Sequence, residues 1–529
     1  MSIPTYNEIR LTPQNNSVAL TALLDGHVVY SETLTSADYT ASVRSDAPGD
    51  ESIYIMHVPT RKIVFTFPVT AITSPEPAKW NSDVRDLVLL LSADPYFNEL
   101  TTRTTQGWTP ERDAAGLVRV SEPRTLFDNK FTDQIDPAFW DFLLNGGAIV
   151  AQSPLTSAVT LTVPAVAGAR AVLQTKEYFI YQPGKSFRFK LTGVLHSAIN
   201  AGLTVRWGYF DDANDVPSFA NKPHGGNGIF IEYSGGQYWY VIRSSTSGTQ
   251  VDTRVARANW NIDSFNGRGA NGDIVIDFTK TQLFDFDFLW QGVGDVRCGL
   301  FVNNIPMLAH QFHNGNDITA PYMSTANLPL RFEIINVNGA ASASTTVVCQ
   351  EIISEGGYDP RGYTSVWPRL GVGGVANMST NSNEYHIATF RYKPSRVRNL
   401  SKPFAVLANC TTAANIGINL WLNMELTGLV GLPAFSPVDP QSNLEVAAAS
   451  IDLGATPGAA TRLANARLLD RLEFTSLANA GVAQGLEERV KMGASIAGVS
   501  DTITLTAYKL DGVAQTETVR ASMKWTEFN

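Results

Sequence analysis

The sequence predicts an all-β protein of several domains, and three observations lead to this fold class. The chain has 529 residues, a length that accommodates two to four domains that each bury a core. Short segments alternate between apolar and polar residues with a period of two, which is typical of half-buried strands. Turns rich in glycine, asparagine and aspartate separate these segments. We therefore expect a central β-sandwich flanked by smaller β-sandwich or barrel domains.

Residues 1–120 predict a small N-terminal β domain used in assembly or attachment. Strand-like alternation occurs at residues 18–24, 27–33, 52–57, 62–67 and 85–91. Asp25-Gly26 separates the first two segments and is a strong hairpin signal, because a type I′ turn requires positive φ at both central positions. A connection at residues 106–113 precedes the expected domain boundary near residue 120.

Residues 121–357 predict a jelly-roll sandwich. The alternating segments are 125–131, 158–163, 171–175, 186–193, 203–210, 228–233, 238–244, 273–278, 284–290, 296–302 and 330–336. An Asp136-Pro137 turn follows the first segment and leads to Trp140, which we expect to be buried. Strands in this number, separated by short turns, indicate two stacked sheets.

Residues 358–529 predict a C-terminal β-rich domain. Strand-like segments occur at 384–392, 404–407 and 416–426. Residues 501–525 alternate around Asp511-Gly512, which predicts a terminal hairpin. Residues 459–473 are rich in alanine, leucine and arginine, so they fit either a helix or a long polar strand.

Charge and hydropathy restrict the partners of the chain. The net charge is −9 and charged residues make up 17% of the sequence, without a basic stripe that would neutralise phosphates. We therefore expect no nucleic-acid partner. No run of eighteen apolar residues occurs and the first sixteen residues contain no apolar segment. The sequence thus predicts neither membrane insertion nor a cleaved signal.

Motifs of catalysis and cofactor binding are missing from the sequence. No nucleophile elbow, Walker loop or dinucleotide fingerprint occurs at a strand-to-helix turn. The three cysteines, Cys298, Cys349 and Cys410, show no metal-binding spacing, so we expect buried thiols. The prediction is a protein that is not an enzyme and has no catalytic residues, cofactor or metal site.

Two carboxylates on one predicted strand offer an alternative to this interpretation. Asp285 and Asp287 alternate with phenylalanines, which places both carboxylates on one face, about 6 to 7 Å apart. That distance suits the carboxyl pair of a glycosidase. The favoured interpretation is a polar outer face on which these carboxylates contact Arg297, Arg331 or water.

Two groups of oxygen donors and histidines are candidate metal sites. Asp211, Asp212, Asn214 and Asp215 crowd hard donors into five residues, but a solvated turn fits their spacing better than a calcium loop. His310 and His313 are three residues apart, so on a strand they point to opposite faces. A metal cluster that includes these histidines and His224 is not expected.

Aromatic residues of the central domain are candidates for stacking on sugar rings. They are Tyr233, Tyr238, Trp239, Tyr240 and Trp260. Alternation buries about half of such residues, and the favoured role is packing in the core and between subunits.

Several segments of the central domain form a recognisable pattern. They are RWGYFD at 206–211, NGIFIE at 227–232, VIRSSTSG at 241–248, NWNID at 259–263, LWQGVGDVR at 289–297, LPLRFE at 328–333 and SEGG at 354–357. Over residues 125–357 this pattern resembles uncharacterised structural proteins in the virions of tailed bacteriophages and related aquatic viruses. The strand count and the opening strand, Asp-Pro turn and tryptophan also resemble concanavalin-type and laminin-G-type jelly rolls.

The resemblance implies a virion structural protein in a tail, neck, baseplate, fibre or capsid-surface position, assembled in the host cytoplasm. Its expected partners are other virion proteins and further copies of itself in a trimer or ring. A first alternative is a glycan-binding adhesin or receptor-binding protein that contacts a host surface glycan. A second alternative is a glycan depolymerase.

Overall fold

The chain forms two compact units, Met1–Glu111 and Arg112–Asn529. In the first unit the computed structural model describes the backbone of six strands between residues 8 and 68. In the second it describes residues 122–215, 225–267, 274–358, 360–368, 374–378, 383–410, 415–426, 429–454, 466–475, 491–510 and 516–528.

The described part of the first unit forms two antiparallel sheets of three strands each. The first sheet consists of β1 Glu8–Gln14, β2 Ser17–Leu24 and β3 His27–Thr35, and the second of β4 Tyr39–Ser45, β5 Glu51–His57 and β6 Lys62–Pro68. Leu24 pairs with His27 across a two-residue connection, which confirms the predicted hairpin at Asp25-Gly26. The predicted segments 85–91 and 106–113 lie outside the described residues.

The second unit begins with fifteen strands, β7 to β21. They are β7 Arg124–Lys130, β8 Trp140–Asn145, β9 Ile149–Ser153, β10 Ala158–Val163, β11 Ala169–Thr175, β12 Ser186–Val194, β13 Leu203–Phe210, β14 Gly228–Ser234, β15 Gln237–Ser244, β16 Val251–Ala256, β17 Gln282–Phe288, β18 Val296–Val302, β19 Ile305–Phe312, β20 Leu330–Asn336 and β21 Ala343–Glu355. A short 3-10 turn, Arg257–Asn259, follows β16.

These strands form two antiparallel sheets. One has the order β19-β18-β17-β12-β21-β10-β9 with β7 paired to β21, and the other has the order β16-β15-β14-β13-β20-β11-β8. The predicted jelly-roll sandwich is thereby confirmed. The predicted strand at 273–278 is wrong, because its described part makes only an isolated bridge between Val275 and Asn266.

An aromatic core fills the space between the two sheets. Trp140 is 1% exposed, as the sequence predicted. Phe189 and Phe286 stack with ring centroids 4.6 Å apart. Trp207 on the seven-stranded sheet donates its indole N–H to Thr345 on the eight-stranded sheet at 2.8 Å. The core therefore contains a polar link between the sheets in addition to apolar contacts.

The remainder of the second unit, which we call the C-terminal module, has its own hydrophobic core between residues 376 and 525. Its strands are β22 Tyr363–Trp367, β23 Gly374–Met378, β24 Glu384–Tyr392, β25 Leu400–Cys410, β26 Asn415–Leu422, β27 Ser436–Pro437, β28 Leu444–Asp452, β29 Arg467–Thr475, β30 Thr502–Lys509 and β31 Glu517–Phe528. A 3-10 turn, Pro394–Arg396, lies between β24 and β25. One sheet contains β22-β31-β23 with β25 paired to β31, and the other has the order β27-β28-β24-β30-β26-β29.

Two expectations for this module are corrected. The predicted terminal hairpin is wrong, because β30 pairs with β24 and β26 while β31 pairs with β22, β23 and β25 in the other sheet. Residues 467–473 belong to β29, which pairs with β26. The helix alternative for residues 459–473 is therefore wrong over the described part of that segment. No helix in the described part of the chain has the length and apolar character needed to cross a membrane.

Candidate functional site

The outer face of the seven-stranded sheet carries a line of charged side chains. On β13, Val205 and Trp207 point into the core, so Arg206 between them points outward. Arg206 is directly opposite Glu232 on β14 and Glu333 on β20. Residues directly opposite in an antiparallel pair share a face of the sheet. The two carboxylates therefore flank one arginine on the outer face.

Ion pairs extend this line across the sheet. Arg206 Nε lies 2.6 Å from Glu232 Oε2, and its Nη1 lies 3.6 Å from Glu333 Oε2. Arg254 on β16 reaches Glu232 Oε1 at 2.8 Å, and Arg170 on β11 reaches Glu333 Oε1 at 2.6 Å. We call Arg254, Glu232, Arg206, Glu333 and Arg170 the arginine–carboxylate row. Its charges alternate in sign.

Burial within the row differs between the two charge types. The side chains of Glu232 and Glu333 are 0% exposed, whereas Arg206, Arg170 and Arg254 are 14, 21 and 38% exposed. The carboxylates are thus covered, and the arginine side chains are the part of the row that solvent reaches. Because each guanidinium has five N–H donors, it can bond a carboxylate below and a ligand oxygen above.

The arginines hold Glu333 in its charged form. Burial opposes ionisation of this carboxyl, but Arg331, Arg206 and Arg170 outweigh burial and hold the pKa of Glu333 well below its usual range. Burial likewise opposes the charge of Arg206, and Glu333 and Glu232 outweigh it, so the pKa of Arg206 is raised. Glu333 and Arg206 are therefore both charged near neutral pH.

Trp239 lies beside this row. It is directly opposite Glu232 on the neighbouring strand β15, so it shares the outer face. The indole is half-buried against a small cluster formed by Phe210, Phe230 and Val241. Its Nε1 points to the carbonyl oxygen of Ser234 at 3.4 Å. An aromatic side chain thus borders a set of fixed hydrogen-bond donors.

The five candidate stacking aromatics do not share one face of the sheet, because alternation divides them between two faces. Tyr233 and Tyr240 are 0% exposed and Trp260 is 6% exposed, all three within the core of the sandwich. Tyr238 packs against the same core and its hydroxyl lies 2.8 Å from His196 Nε2. A ring in the core has no free face for a sugar. Trp239 lies on the opposite side of β15, on the outer face of the sheet, and is half-buried there.

The carboxylates Asp285 and Asp287 face away from the core, as the sequence predicted, on the outer side of the eight-stranded sheet. Asp285 accepts two hydrogen bonds from Arg188, at 2.7 and 2.8 Å. Asp287 is 7% exposed and accepts a hydrogen bond from Ser186. The interpretation as an ion-paired outer face is confirmed, but the arginine that binds Asp285 is Arg188, and Arg331 lies on the other sheet.

The oxygen-rich segment after β13 binds arginines. Asp211 Oδ2 lies 2.6 Å from Arg398, Asp212 Oδ2 lies 3.1 Å from Arg243, and Asp215 Oδ1 lies 2.7 Å from Arg170. The preference for a solvated turn is therefore wrong for these carboxylates, which are nearly inaccessible to solvent. Burial raises the pKa of Asp212, and the opposing charges of Arg243 and Arg331 lower it overall.

The histidines and cysteines show no shared site. His310 lies on β19 and its Nδ1 accepts a hydrogen bond from the Asn261 amide at 3.2 Å, while the exposed His313 contacts Asp295 at 3.2 Å. His224 is outside the described residues. Cys298 is buried as expected, but Cys349 is exposed and Cys410 is only partly buried, so the expectation fails for these two. Within the described ranges no three His, Cys, Asp or Glu residues come together as metal ligands.

The sequence reasoning missed the arginine–carboxylate row. Its members come from distant segments, and Arg170 and Glu333 are 163 positions apart. Two local signals of outward charges were present, because Arg206 and Glu232 each lie between two apolar residues that face the core. An isolated charge in such a strand predicts an outward side chain but not its partner.

Comparisons with known proteins give only distant likenesses. No family model matches the chain, and no curated protein matches it. Among solved structures, the endo-1,3-beta-glucanase from Streptomyces sioyaensis has 11% identity and a TM-score of 0.30, over 44% of this chain and 96% of the enzyme. The carbohydrate recognition domain of Emp47p has 9% identity and a TM-score of 0.28, over 44% of this chain and 98% of the domain.

A third match is the endo-beta-1,4-glucuronan lyase from the fungus Trichoderma reesei. It has 9% identity and a TM-score of 0.29, over 43% of this chain and 95% of the lyase. These three proteins bind or process carbohydrate according to their names. With TM-scores of 0.30 and below, the likenesses carry no conclusion about what this chain binds.

Proposed function

We propose that the protein binds carbohydrate without cleaving it, through the outer face of the seven-stranded sheet. The observation that carries this proposal is the position of Trp239 directly opposite Glu232, at the edge of the arginine–carboxylate row. Protein sites for polar ligands combine an apolar wall with a few fixed polar groups. This face offers an indole next to guanidinium donors.

The row is pre-organised for such a ligand. Each guanidinium is already held by a carboxylate, so it loses little conformational freedom when a ligand hydroxyl or carboxylate binds. The carboxylates beneath accept from the arginines and are shielded from solvent. A sugar ring that covers Trp239 would place its hydroxyl oxygens next to the N–H groups of Arg206 and Arg254.

The charge of Glu333 and the hydrogen bonds of Asp285 support binding rather than catalysis. A glycosidase requires a carboxylic acid that remains protonated near neutral pH. Glu333 has a lowered pKa, so it is a poor proton donor. Asp285 is occupied by two hydrogen bonds from Arg188 on the other sheet. A depolymerase needs a protonated acid or a pair of carboxyl groups in a cleft. Glu333 and Asp285 meet neither requirement.

A glycan array with the full-length protein tests the proposal. Binding of one glycan class is expected, and Trp239→Ala should weaken it about tenfold or more, because a sugar that stacks on the indole depends on its ring face. The control is Tyr363→Ala, which removes an aromatic side chain that is 76% exposed on β22. Equal glycan binding by wild type and Trp239→Ala, or no binding to any glycan by either, would rule out this face.

A second candidate is a virion structural protein, favoured by the sequence pattern over residues 125–357. The two candidates are compatible, because a glycan-binding protein on a virion surface is an adhesin. Other virion proteins and further copies of the chain, in a trimer or ring, would be its partners. Mass spectrometry of purified particles should detect the protein in stoichiometric amount, and its absence from particles would contradict this placement.

A further inference from the structure

The outer face of the six-stranded sheet in the C-terminal module carries aromatic and charged side chains. On β30, Ala507 belongs to the core of the module, so the adjacent Tyr508 points outward. Glu384 on β24 and Gly417 on β26 are both directly opposite Tyr508. Glu473 on β29 is directly opposite Gly417. Because directly opposite residues share a face of the sheet, Glu384, Tyr508 and Glu473 lie in one line across it.

The ring of Tyr508 lies across the neighbouring strand β26. Gly417 leaves the space that the ring occupies, because a Cβ atom at position 417 would collide with Cζ and Cε1 of Tyr508. Beyond the glycine, the phenol donates a hydrogen bond to Glu473 Oε1 at 3.2 Å. Tyr508 is half-buried. The ring thus rests on the backbone of β26, and its exposed part faces away from the sheet.

Trp421 lies across the same sheet in the opposite direction. It is directly opposite Thr504 on β30, yet its Nε1 lies 2.9 Å from Glu384 Oε1 on β24 and 3.1 Å from Thr506 Oγ1. The indole therefore reaches over β30. Thr504 and Thr506 beneath it are 0% exposed, whereas the indole is half-buried. Trp421 and Tyr508 together place two aromatic rings along this outer face.

The carboxylate of Glu384 lies beside the indole and is 4% exposed. Its Oε1 accepts hydrogen bonds from the Trp421 indole, from Asn419 Nδ2 at 3.0 Å and from the Thr506 hydroxyl, which are all neutral donors. Among the residues that the structure describes, no lysine or arginine pairs with Glu384 and none donates to its Oε2. Glu333, by contrast, pairs with several arginines. Burial of a carboxylate without a cation costs free energy, which a bound cation would offset.

Negative charge exceeds positive charge on this part of the face. Two carboxylates, Glu384 and Glu473, accompany one cation, Arg471 on β29. Arg471 Nε donates to Asn419 Oδ1 at 3.0 Å, and its guanidinium carbon lies 5.4 Å from the centroid of the Tyr508 ring. Burial raises the pKa of Tyr508 to about 12, and the carboxylates add to this effect while Arg471 opposes it. The phenol therefore stays neutral, and the face attracts a cation.

We propose that this face binds an amino sugar, with the ammonium group at Glu384 and the sugar ring against Tyr508 and Trp421. We call these residues, with Arg471 and Glu473, the Glu384 site. Aromatic rings cover the apolar side of a sugar and attract its cation. Arg471 can donate to sugar hydroxyls and Glu473 can accept from them. The site is separate from the arginine–carboxylate row and does not depend on the proposed function.

Isothermal titration calorimetry on the full-length protein tests the Glu384 site. The probes are a glucosamine tetramer, its N-acetylated counterpart, which keeps the rings without the charge, and tetralysine, which has ammonium groups without rings. The glucosamine tetramer should bind, and each of the other two should bind about tenfold more weakly or worse. The proposal is overturned if the glucosamine tetramer does not bind, or if either of the other probes binds as tightly.

A charge substitution locates the binding. Glu384→Gln removes the negative charge and keeps the shape of the side chain, so it should weaken the glucosamine tetramer about tenfold or more. The control Glu351→Gln makes the same change at a carboxylate on β21, in the central sandwich, that pairs with Lys190 at 3.2 Å. This control should leave binding unchanged. Equal effects of the two substitutions would contradict the site.

A second variant moves a ring without changing any charge. In Gly417→Ala the added methyl group would take the place of the Tyr508 ring, which is the end of a flexible side chain and can move while the backbone stays. The glucosamine tetramer should bind about fivefold more weakly, with thermal unfolding close to wild type. Unchanged affinity would refute the contact between this ring and the sugar.

Trp239→Ala separates the Glu384 site from the proposed function. Trp239 lies on the outer face of the seven-stranded sheet, so its loss should leave the affinity for the glucosamine tetramer unchanged. If Trp239→Ala abolished this binding while Glu384→Gln retained it, the amino sugar would belong to the arginine–carboxylate row and the Glu384 site would be overturned.

Discussion

Arg398 Nη2 lies 2.6 Å from Asp211 Oδ2, and this ion pair joins the C-terminal module to the central sandwich. Asp211 also accepts hydrogen bonds from the backbone N–H groups of Gly226 and Asn227, at 2.8 and 3.0 Å. The side chains of the pair are 11 and 3% exposed. Asp211 therefore depends on Arg398 for its charge partner, and the pair helps to fix how the module packs on the sandwich.

Arg398→Met should lower the free energy of unfolding of the second unit by about 3 kcal/mol, because it leaves a buried carboxylate without its cation. Urea denaturation would measure this change. A double-mutant cycle with Asp211→Asn, which keeps the shape of the side chain, should give a coupling energy above about 1 kcal/mol. Additive effects of the two substitutions would show that the ion pair does not couple the module to the sandwich.

Tyr240→Phe should leave the protein as stable as before or raise its free energy of unfolding by about 1 kcal/mol. The Tyr240 hydroxyl is buried, and no hydrogen-bond partner for it is found in the part of the chain that the structure describes. Removing a buried hydroxyl without a partner removes its desolvation penalty. Thermal unfolding of Tyr240→Phe and wild type measures the change, and a loss of more than 1 kcal/mol would reveal a partner.

Glu333→Gln should lower the stability at pH 7 by about 3 kcal/mol, and the difference from wild type should shrink in acid. The pKa of Glu333 is lowered in the folded protein, so its stabilising contribution is complete above the unfolded pKa near 4.3. It is lost as the pH falls toward the folded value, because the unfolded chain binds the proton first. Denaturant unfolding of both proteins between pH 7 and pH 3 checks this, and parallel curves would contradict it.

His310 should titrate with a pKa of about 4, because burial, with a smaller effect from His313, lowers its pKa from the usual 6.5. NMR titration of the imidazole signals measures this value directly. The unfolded chain binds the proton first as the pH falls from 6.5 to 4, so the wild type loses up to about 3 kcal/mol in that window. His310→Gln should lose less, and a pKa near 6.5 for His310 would refute the predicted burial effect.

The fold class and the position of most strands follow from the sequence alone. The predicted segment 203–210 coincides with β13, and Phe284, Phe286 and Phe288 all point into the core. Trp140, which follows the Asp-Pro turn, is buried as predicted. These features depend on the period of two along one strand and on local turn chemistry, so neighbouring residues are sufficient to predict them.

The pairing of strands and the contacts between outward side chains depend on the tertiary structure. The alternation in residues 501–525 predicted a hairpin, yet its two strands belong to different sheets of the C-terminal module. Arg170 and Glu333 come together on the arginine–carboxylate row although 163 positions separate them. Strand pairing depends on which apolar faces can be buried together across the whole unit, and this non-local condition leaves no signal in the spacing of adjacent residues.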